Sequence, residues 1–226
     1  MSKNKKSIDF LDYKYKQALN FEDSKEFDKA ELIYNEILEV KPDDFNILLS
    51  RAVARLVQDK TASGLGDLSS AYKLADTEGK IRAALIYEEI GSSSQAYIYF
   101  QEIIIEEPDN YKANVNLARL HLYHNKKEEA KTILNKLIEK EPDSAEAYIQ
   151  LANVYLTEQQ IDQALDMFEK SLKVSPDNVY VLYTLTLASL EKNDLETAKK
   201  YLNHALTIEP QNQTLLDLQT DLEENP

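Results

Sequence analysis

Apolar and small residues recur along this chain with a period of 34 residues. In the second part of each period they occupy relative positions 20, 24 and 27, a spacing that places them on one face of an α-helix. In the first part a small residue recurs at position 8. Small residues at positions 8 and 20 indicate that two helices approach each other closely there. The pattern predicts one pair of α-helices per period and no β-strand.

Prolines mark the end of the periods. Five of the six prolines share one phase, with spacings of 66, 34, 34 and 34 residues, and the sixth is the C-terminal Pro226. Two residues after each of the five stands a good helix N-cap, whose side chain can accept a hydrogen bond from a free N–H of the first turn. These capping residues are Asp44, Asn110, Ser144, Asn178 and Asn212. Each proline therefore ends one helix, and the capping residue begins the next.

With the proline at position 32, the chain divides into six repeats. They span residues 11–44, 45–76, 77–110, 111–144, 145–178 and 179–212. The residues at position 8 are Ala18, Ala52, Ala84, Ala118, Ala152 and Thr186. The residues at position 20 are Ala30, Gly64, Ala96, Ala130, Ala164 and Ala198. Position 24 is large in every repeat and reads Tyr34, Leu68, Phe100, Leu134, Phe168 and Leu202.

This register resembles the tetratricopeptide repeat (TPR) family, whose 34-residue helix–turn–helix units carry small residues at positions 8 and 20 and Pro at 32. The resemblance covers residues 11–212. It implies an all-α fold, a right-handed α-solenoid whose concave groove is lined by the first helices of the units, mainly at positions 2, 5, 6, 9, 12 and 13. With the first helix extended back to Ile8, the six TPR units occupy residues 8–212.

The two ends of the chain differ from the repeats. Residues 213–226 carry four leucines among acidic residues, which predicts a capping helix and C-terminus that cover the last repeat. Residues 1–7 contain three lysines and are expected to form a flexible basic tail.

The second repeat departs most from the pattern. Asp76 stands where the proline is expected, and Arg51 falls at a position that usually faces the core. A shift of its first helix by one residue would turn Arg51 outward. All four glycines lie in the second and third repeats, which predicts that this part is looser, because Gly weakens a helix by roughly 1 kcal/mol relative to Ala. Either sequence drift or a hinge explains the irregularity.

Composition narrows the function classes. The net charge is -14 and the sequence pI is about 4.7, so nucleic acid and anionic membranes are disfavoured partners. Cysteine is absent, which excludes disulfides and thiolate sites. No apolar run approaches the roughly 20 residues of a membrane-spanning helix, and the basic N-terminus is not followed by a signal-peptide core. We expect a cytoplasmic protein with no direct membrane insertion.

Candidate catalytic chemistry is sparse. His121 and His124 lie three residues apart on one predicted helix and could share a metal ion, but no further ligand is apparent nearby. No nucleophile motif or phosphate-binding glycine loop occurs. We expect no enzymatic activity, no cofactor and no metal site.

The expected groove is basic at one end and aromatic at the other. The four arginines all lie in the first helices of repeats two to four, and Arg82 and Arg119 fall at groove positions. They could bind a carboxylate of a partner, or they could pair with Glu88, Glu89 or Glu146. The other candidate groove residues are Lys112, Asn116, Tyr123, Ile149, Gln150, Asn153, Tyr180 and Tyr183. The carboxylate clamp with which some TPR proteins bind chaperone tails is absent.

Together these features predict a scaffold or adaptor that binds a segment of a partner protein or peptide in its groove. Two alternatives stay open. The chain could be a self-assembling homo-oligomeric scaffold, or it could be an assembly chaperone for another protein.

Overall fold

The computed structural model describes residues 2–224, and the side chains of residues 10–223. In this part of the chain every regular element is an α-helix, and thirteen helices follow one another, which confirms the all-α prediction of twelve repeat helices and a cap. The helices are α1 Ser2–Asp23, α2 Phe27–Val40, α3 Phe45–Val57, α4 Thr61–Leu74, α5 Thr77–Glu89, α6 Ser93–Glu106, α7 Tyr111–Tyr123, α8 Lys127–Lys140, α9 Ala145–Thr157, α10 Ile161–Val174, α11 Val179–Glu191, α12 Leu195–Ile208 and α13 Gln213–Glu224.

Each of the six repeats contains one helix pair, and a turn of three residues joins its two helices. The first helix of the first repeat begins at Ser2. The backbone of residues 2–7 is therefore helical where the sequence led us to expect a flexible tail.

The chain divides into two compact halves, Met1–Ala113 and Asn114–Pro226, called the N-terminal half and the C-terminal half. In both halves the small residues of positions 8 and 20 are buried, as the close approach of paired helices requires. The large residues of position 24 lie beside them and fill the core. In the N-terminal half these are Tyr34, Leu68 and Phe100, and in the C-terminal half Leu134, Phe168 and Leu202.

The second repeat is shortened in the link to the next repeat and not in its helices. Only two residues separate α4 from α5, whereas four separate the other successive repeats. Asp76 is the N-cap of α5, where its side chain accepts a hydrogen bond from the backbone N–H of Gly79 at 2.9 Å. Asp76 therefore corresponds to the capping residue of the other repeats and not to their proline. Ala52 is fully buried at position 8, so no shift of α3 is needed.

One turn position adopts the same unusual backbone in all six repeats. Position 15, the middle residue of the three-residue turn, has a positive φ of 57–80°. The residues are Lys25, Asp59, Gly91, Asn125, Gln159 and Asn193. Glycine is the residue best suited to this conformation, so Gly91 belongs to the turn and does not weaken a helix.

The C-terminal helix α13 covers the last helix pair. Leu215 and Leu222 are buried against Leu182, Leu202 and Ala205 of α11 and α12. The Asn212 side chain accepts hydrogen bonds from backbone N–H groups at the start of α13. The capping helix predicted for the end of the chain is thus formed by apolar packing and by its own N-cap.

Candidate partner-binding site

A cavity of about 290 Å³ opens in the N-terminal half between the first helices of three successive repeats, α1, α3 and α5. It is lined by Glu22, Leu49, Ser50, Val53, Arg82, Leu85, Ile86 and Glu89. All of these except Ile86 occupy repeat positions 5, 6, 9, 12 or 13, which are positions expected to face the groove. Of the eight, the sequence identified only Arg82 as a groove residue, and it named Glu89 only as a possible partner of the arginines. Applying the same position rule to the first two repeats would have found most of the others.

Arg82 is exposed at this cavity. Its Nη1 donates a hydrogen bond to the Asn46 side-chain oxygen at 3.0 Å, and Asn46 lies on α3. Lys112, another candidate, lies 2.8 Å from the Glu78 carboxylate, and both side chains are more than half exposed. Such exposed ion pairs contribute little stability. Lys112 is therefore held only weakly in this contact.

The remaining arginines of the N-terminal half are not part of this surface. Arg51 and Arg55 both bind Asp67, and Arg55 also donates to Glu31 at 2.8 Å. These side chains are largely buried between α2, α3 and α4. The prediction that Arg51 faces outward is wrong, because its guanidinium is fully engaged by Asp67 and by the Asn35 side chain.

The arginine network changes the titration of Glu31. Burial alone would raise the pKa of this carboxyl, but hydrogen bonds from Lys60 and Arg55 outweigh burial and hold the pKa below its ordinary value of 4.5. Glu31 is therefore ionised and fixed in place at neutral pH.

Glu22 has the opposite environment at the wall of the cavity. Its Oε1 is buried and accepts no hydrogen bond from any described residue. Burial raises the pKa of Glu22 above 4.5, neighbouring Asp23 adds to this rise, and the Tyr34 hydroxyl opposes it. The Tyr34 hydroxyl is therefore the polar group that faces this carboxylate, and Glu22 forms no ion pair with a described residue.

In the C-terminal half, α7 carries three of the candidate residues. The Arg119 Nη2 donates to the Asn116 side-chain oxygen at 2.7 Å, and both residues are half-buried. Tyr123 is 74% exposed and lies edge-on to the His124 ring. His121 is buried, and burial lowers its pKa. Among the described residues no group of three or more His, Cys, Asp or Glu side chains is placed to hold a metal ion.

The structure brings Tyr180 and Asn153 together on α11 and α9. The Tyr180 hydroxyl donates to the Asn153 side-chain oxygen at 3.2 Å, and its ring packs edge-on against Phe168 at 6.2 Å between centroids. Tyr180 nevertheless remains 52% exposed. Tyr183, in contrast, is half-buried and packs against the core cluster beneath α13.

Two predicted groove residues lie in packed regions instead. Ile149 is only 6% exposed and belongs to the core formed with Phe168 and Val181. It is buried because the next repeat packs against position 5 of α9. Gln150 is also buried, and its side-chain amide donates to Glu146 at 2.6 Å.

Comparison with known families decides the classification. The family model described as "Tetratricopeptide repeat" matches residues 91–154 and 155–222, which together make up more than half of the chain. The chain belongs to the tetratricopeptide repeat family. Membership in this family supports a protein-interaction scaffold in general, because TPR proteins bind protein or peptide partners, and the repeat is generally not catalytic.

Solved structures share the fold of this TPR protein at low sequence identity. PilW, a widely conserved type IV pilus biogenesis factor, is 15% identical with a TM-score of 0.65, and the match covers 93% of this chain and 98% of PilW. The pilF protein of Pseudomonas aeruginosa is 15% identical with a TM-score of 0.62 over 93% and 97% of the two chains. YrrB, a TPR protein with an unusual peptide-binding site, is 15% identical with a TM-score of 0.54 over 76% and 89%.

No curated protein matches the sequence of this TPR protein. At such low identity the solved structures show the fold alone. Among the described residues, no helix of this TPR protein has both the length and the apolar character needed to cross a membrane.

Proposed function

We propose that this TPR protein is a scaffold that holds a segment of a partner protein against the first helices of its repeats. The observation that carries the proposal is the cavity of the N-terminal half, to which three successive first helices each contribute side chains. Its wall is apolar and its other lining groups are charged or polar, a combination that can bury a side chain and orient its polar atoms. The YrrB structure, of the same fold, contains a peptide-binding site.

Arg82 of this cavity and Lys112 of α7 would bind an acidic group of the partner. Arg82 is exposed and makes its hydrogen bond to a neutral side chain, so its charge remains available to a carboxylate. Lys112 can exchange its exposed contact with Glu78 for a partner carboxylate at small cost.

The C-terminal half would bind apolar side chains of a partner. Exposed tyrosines are favoured at protein interfaces, because they offer a large apolar area with a polar tip. Tyr180 is exposed but anchored through Asn153, so it presents its ring in one orientation. Tyr123 exposes an even larger fraction of its ring on α7.

Site-specific photo-crosslinking tests this proposal. A benzoylphenylalanine at Ser50, inside the cavity, should crosslink a discrete protein when the variant is incubated with a lysate of the source organism. The control carries the same group at Ile105, which is 81% exposed on the second helix α6. Crosslinks from Ile105 but not from Ser50 would show that the partner uses the second helices.

Self-association is a second candidate function, favoured by one observation. Phe10 and Tyr13 expose 56% and 64% of their surface on α1, which forms the first helix of the array. Apolar side chains in such a position can be covered by a second copy of the chain. Light scattering after size exclusion, with Phe10→Lys as the variant, tests this. A monomeric wild-type chain would contradict self-association.

A further inference from the structure

The cavity of the N-terminal half combines an apolar wall with a carboxylate that has no ion-pair partner among the described residues. Leu49 and Val53 of α3 form the wall together with Leu85 and Ile86 of α5. Glu22 enters from α1 with its Oε1 buried, and the neutral Tyr34 hydroxyl is the hydrogen-bonding group beside it.

An oxygen in this state has a specific chemical requirement. Burial of a polar atom without a hydrogen bond costs free energy, and the cost is larger when the group is charged. The neutral Tyr34 hydroxyl offsets only part of this cost, since burial still raises the pKa of Glu22, and a cationic donor placed against Glu22 would offset more of it. The charged groups near Glu22 are Asp23, Glu89 and Arg82. Of these only Arg82 is a cation, and its Nη1 donates a hydrogen bond to the Asn46 side-chain oxygen.

We propose that this cavity takes a lysine or arginine side chain of the partner segment, with the cationic end against Glu22 and the aliphatic stem against the apolar wall. The inference rests on the proposed function and names the partner chemistry for this site. Lysine and arginine are the side chains that unite a long apolar stem with a charged head. Only such a side chain can contact the apolar wall with its stem and the Glu22 carboxylate with its charged end.

Size and overall charge agree with this occupant. Small-molecule sites generally have volumes of roughly 300–1,000 Å³, so a cavity of about 290 Å³ suits a single side chain better than a larger ligand. The net charge of -14 attracts cationic segments from a distance. A neutral apolar side chain would give Glu22 no cationic partner, and an acidic side chain placed against Glu22 would meet a like charge.

Methyl NMR of the full chain tests the proposal with defined probes. The signals are the methyl groups of Leu49, Val53 and Leu85, which line the cavity. The probes are Nα-acetyl-lysine amide and Nα-acetyl-arginine amide. The comparison probes are the norleucine amide, which has the stem without the charge, and the glutamate amide. We expect saturable shifts with the cationic probes and a Kd about tenfold lower than for norleucine, as a charge-assisted hydrogen bond would give.

Variants of the same chain identify the charged residue that binds the cationic probe. Glu22→Gln should raise the Kd of the lysine probe about tenfold and leave the norleucine Kd unchanged. Arg82→Gln removes the cation of the cavity lining and should strengthen binding of the lysine probe. Glu39→Gln, which makes the same charge change on an exposed site of α2, is the matched control and should have no effect. An unchanged methyl spectrum of each free variant shows that the fold is retained.

Three outcomes of the NMR titrations would overturn the inference. These are equal binding of norleucine and lysine, tighter binding of glutamate than of lysine, and no saturable shift with any probe. The result for the cationic side chain can be distinguished from the result for the scaffold proposal. A partner crosslinked at Ser50 whose affinity is unchanged by Glu22→Gln would leave the scaffold intact and refute the cationic occupant. Specific lysine binding without any crosslinked partner would support the cavity chemistry alone.

Discussion

The guanidinium of Arg51 on α3 binds both carboxylate oxygens of Asp67 on α4, with Nη2 at 2.7 Å from Oδ1 and Nε at 2.8 Å from Oδ2. The side chains are 17% and 9% exposed, so the pair is largely removed from water. Arg55 donates to the same carboxylate at 2.8 Å. Asp67 thus pairs with both arginines, and Glu31 supplies a second carboxylate to Arg55.

Removal of Asp67 should therefore be costly. Asp67→Ala leaves both guanidinium groups without their shared carboxylate, and we expect a loss of about 3 kcal/mol in the free energy of unfolding, as for other buried ion pairs with one partner deleted. Urea denaturation measures this. The double variant Arg51→Met, Asp67→Leu should recover part of the loss, since it replaces a charged pair by apolar packing. A loss below about 0.5 kcal/mol for Asp67→Ala, the range of ordinary surface changes, would show that water stabilises the arginines instead.

Glu31 should make the protein sensitive to acid. Its pKa is below 4.5 in the folded state, so its contribution is fully present above the unfolded value and is lost as the pH falls through the lower folded value. Glu31→Gln should reduce stability at neutral pH and flatten the stability loss below pH 4.5. Thermal melts of both proteins across a pH series measure the difference. Parallel pH curves would contradict the assignment.

Glu22 should act with the opposite sign. Its folded pKa is raised, so the carboxylate opposes folding above that pKa, and protonation stabilises the fold as the pH falls toward 4.5. Glu22→Gln should raise the free energy of unfolding at neutral pH by about 1 kcal/mol, because an uncharged group is cheaper to bury. Denaturation at neutral and acidic pH tests this, and the advantage of Glu22→Gln should shrink in acid. A destabilised Glu22→Gln protein would show that the carboxylate is paired.

Two glycines of α4 should respond in opposite directions to alanine. A Cβ at Gly64 would lie 2.8 Å from Leu56 Cγ and 3.2 Å from the Ala52 carbonyl oxygen, whereas a Cβ at Gly66 would meet open space. Gly64→Ala should destabilise the protein by about 1–3 kcal/mol through overpacking. Gly66→Ala should stabilise it by about 0.5–1 kcal/mol through helix propensity. Equal effects in urea denaturation would contradict the close approach of α3 and α4.

Partner binding should depend differently on salt in the two halves. Arg82→Glu should lower the affinity mostly at low salt, because exposed charges are screened over roughly 8 Å at physiological ionic strength. Tyr180→Ala should lower it at every salt concentration. Tyr183 is unsuitable as a binding variant, since it packs against the core. Kd values of the crosslinked partner across a salt series test this, and salt-independent loss with Arg82→Glu would contradict an electrostatic role.

The repeat pattern was enough to predict most of the fold, because positions 8, 20 and 24 define which faces of the helices pack. All of these positions are buried, from Ala18 in the first repeat to Leu202 in the last. The shortened link before α5 could not be separated from a shifted helix by pattern alone, since both account for a missing proline. The positive φ at position 15 was also missed, although four of the six residues there are Gly, Asn or Asp, which favour it, and only Lys25 and Gln159 give no local sign of a left-handed turn.

The surface was less predictable than the core. Side-chain type suggested that the arginines form one basic cluster, but pairing depends on neighbours distant in sequence, as with Arg51 and Asp67. Ile149 occupies position 5, which is buried or half-buried in every repeat because the neighbouring repeat packs against it, so this position belongs to the core more than to the groove surface. The role of Glu22 arises from three helices together and has no sequence motif.

The short link between α4 and α5 limits how the protein can be rebuilt from parts. Residues 75–76 form a junction of two residues, whereas junctions such as 41–44 and 141–144 have the common length of four. Repeats that meet at a four-residue junction can be exchanged, duplicated or deleted with the connection unchanged. The second and third repeats share a connection that no other pair in this chain can supply. We therefore expect the second and third repeats to stay together in evolution and to require transfer as one unit when repeats are moved between proteins.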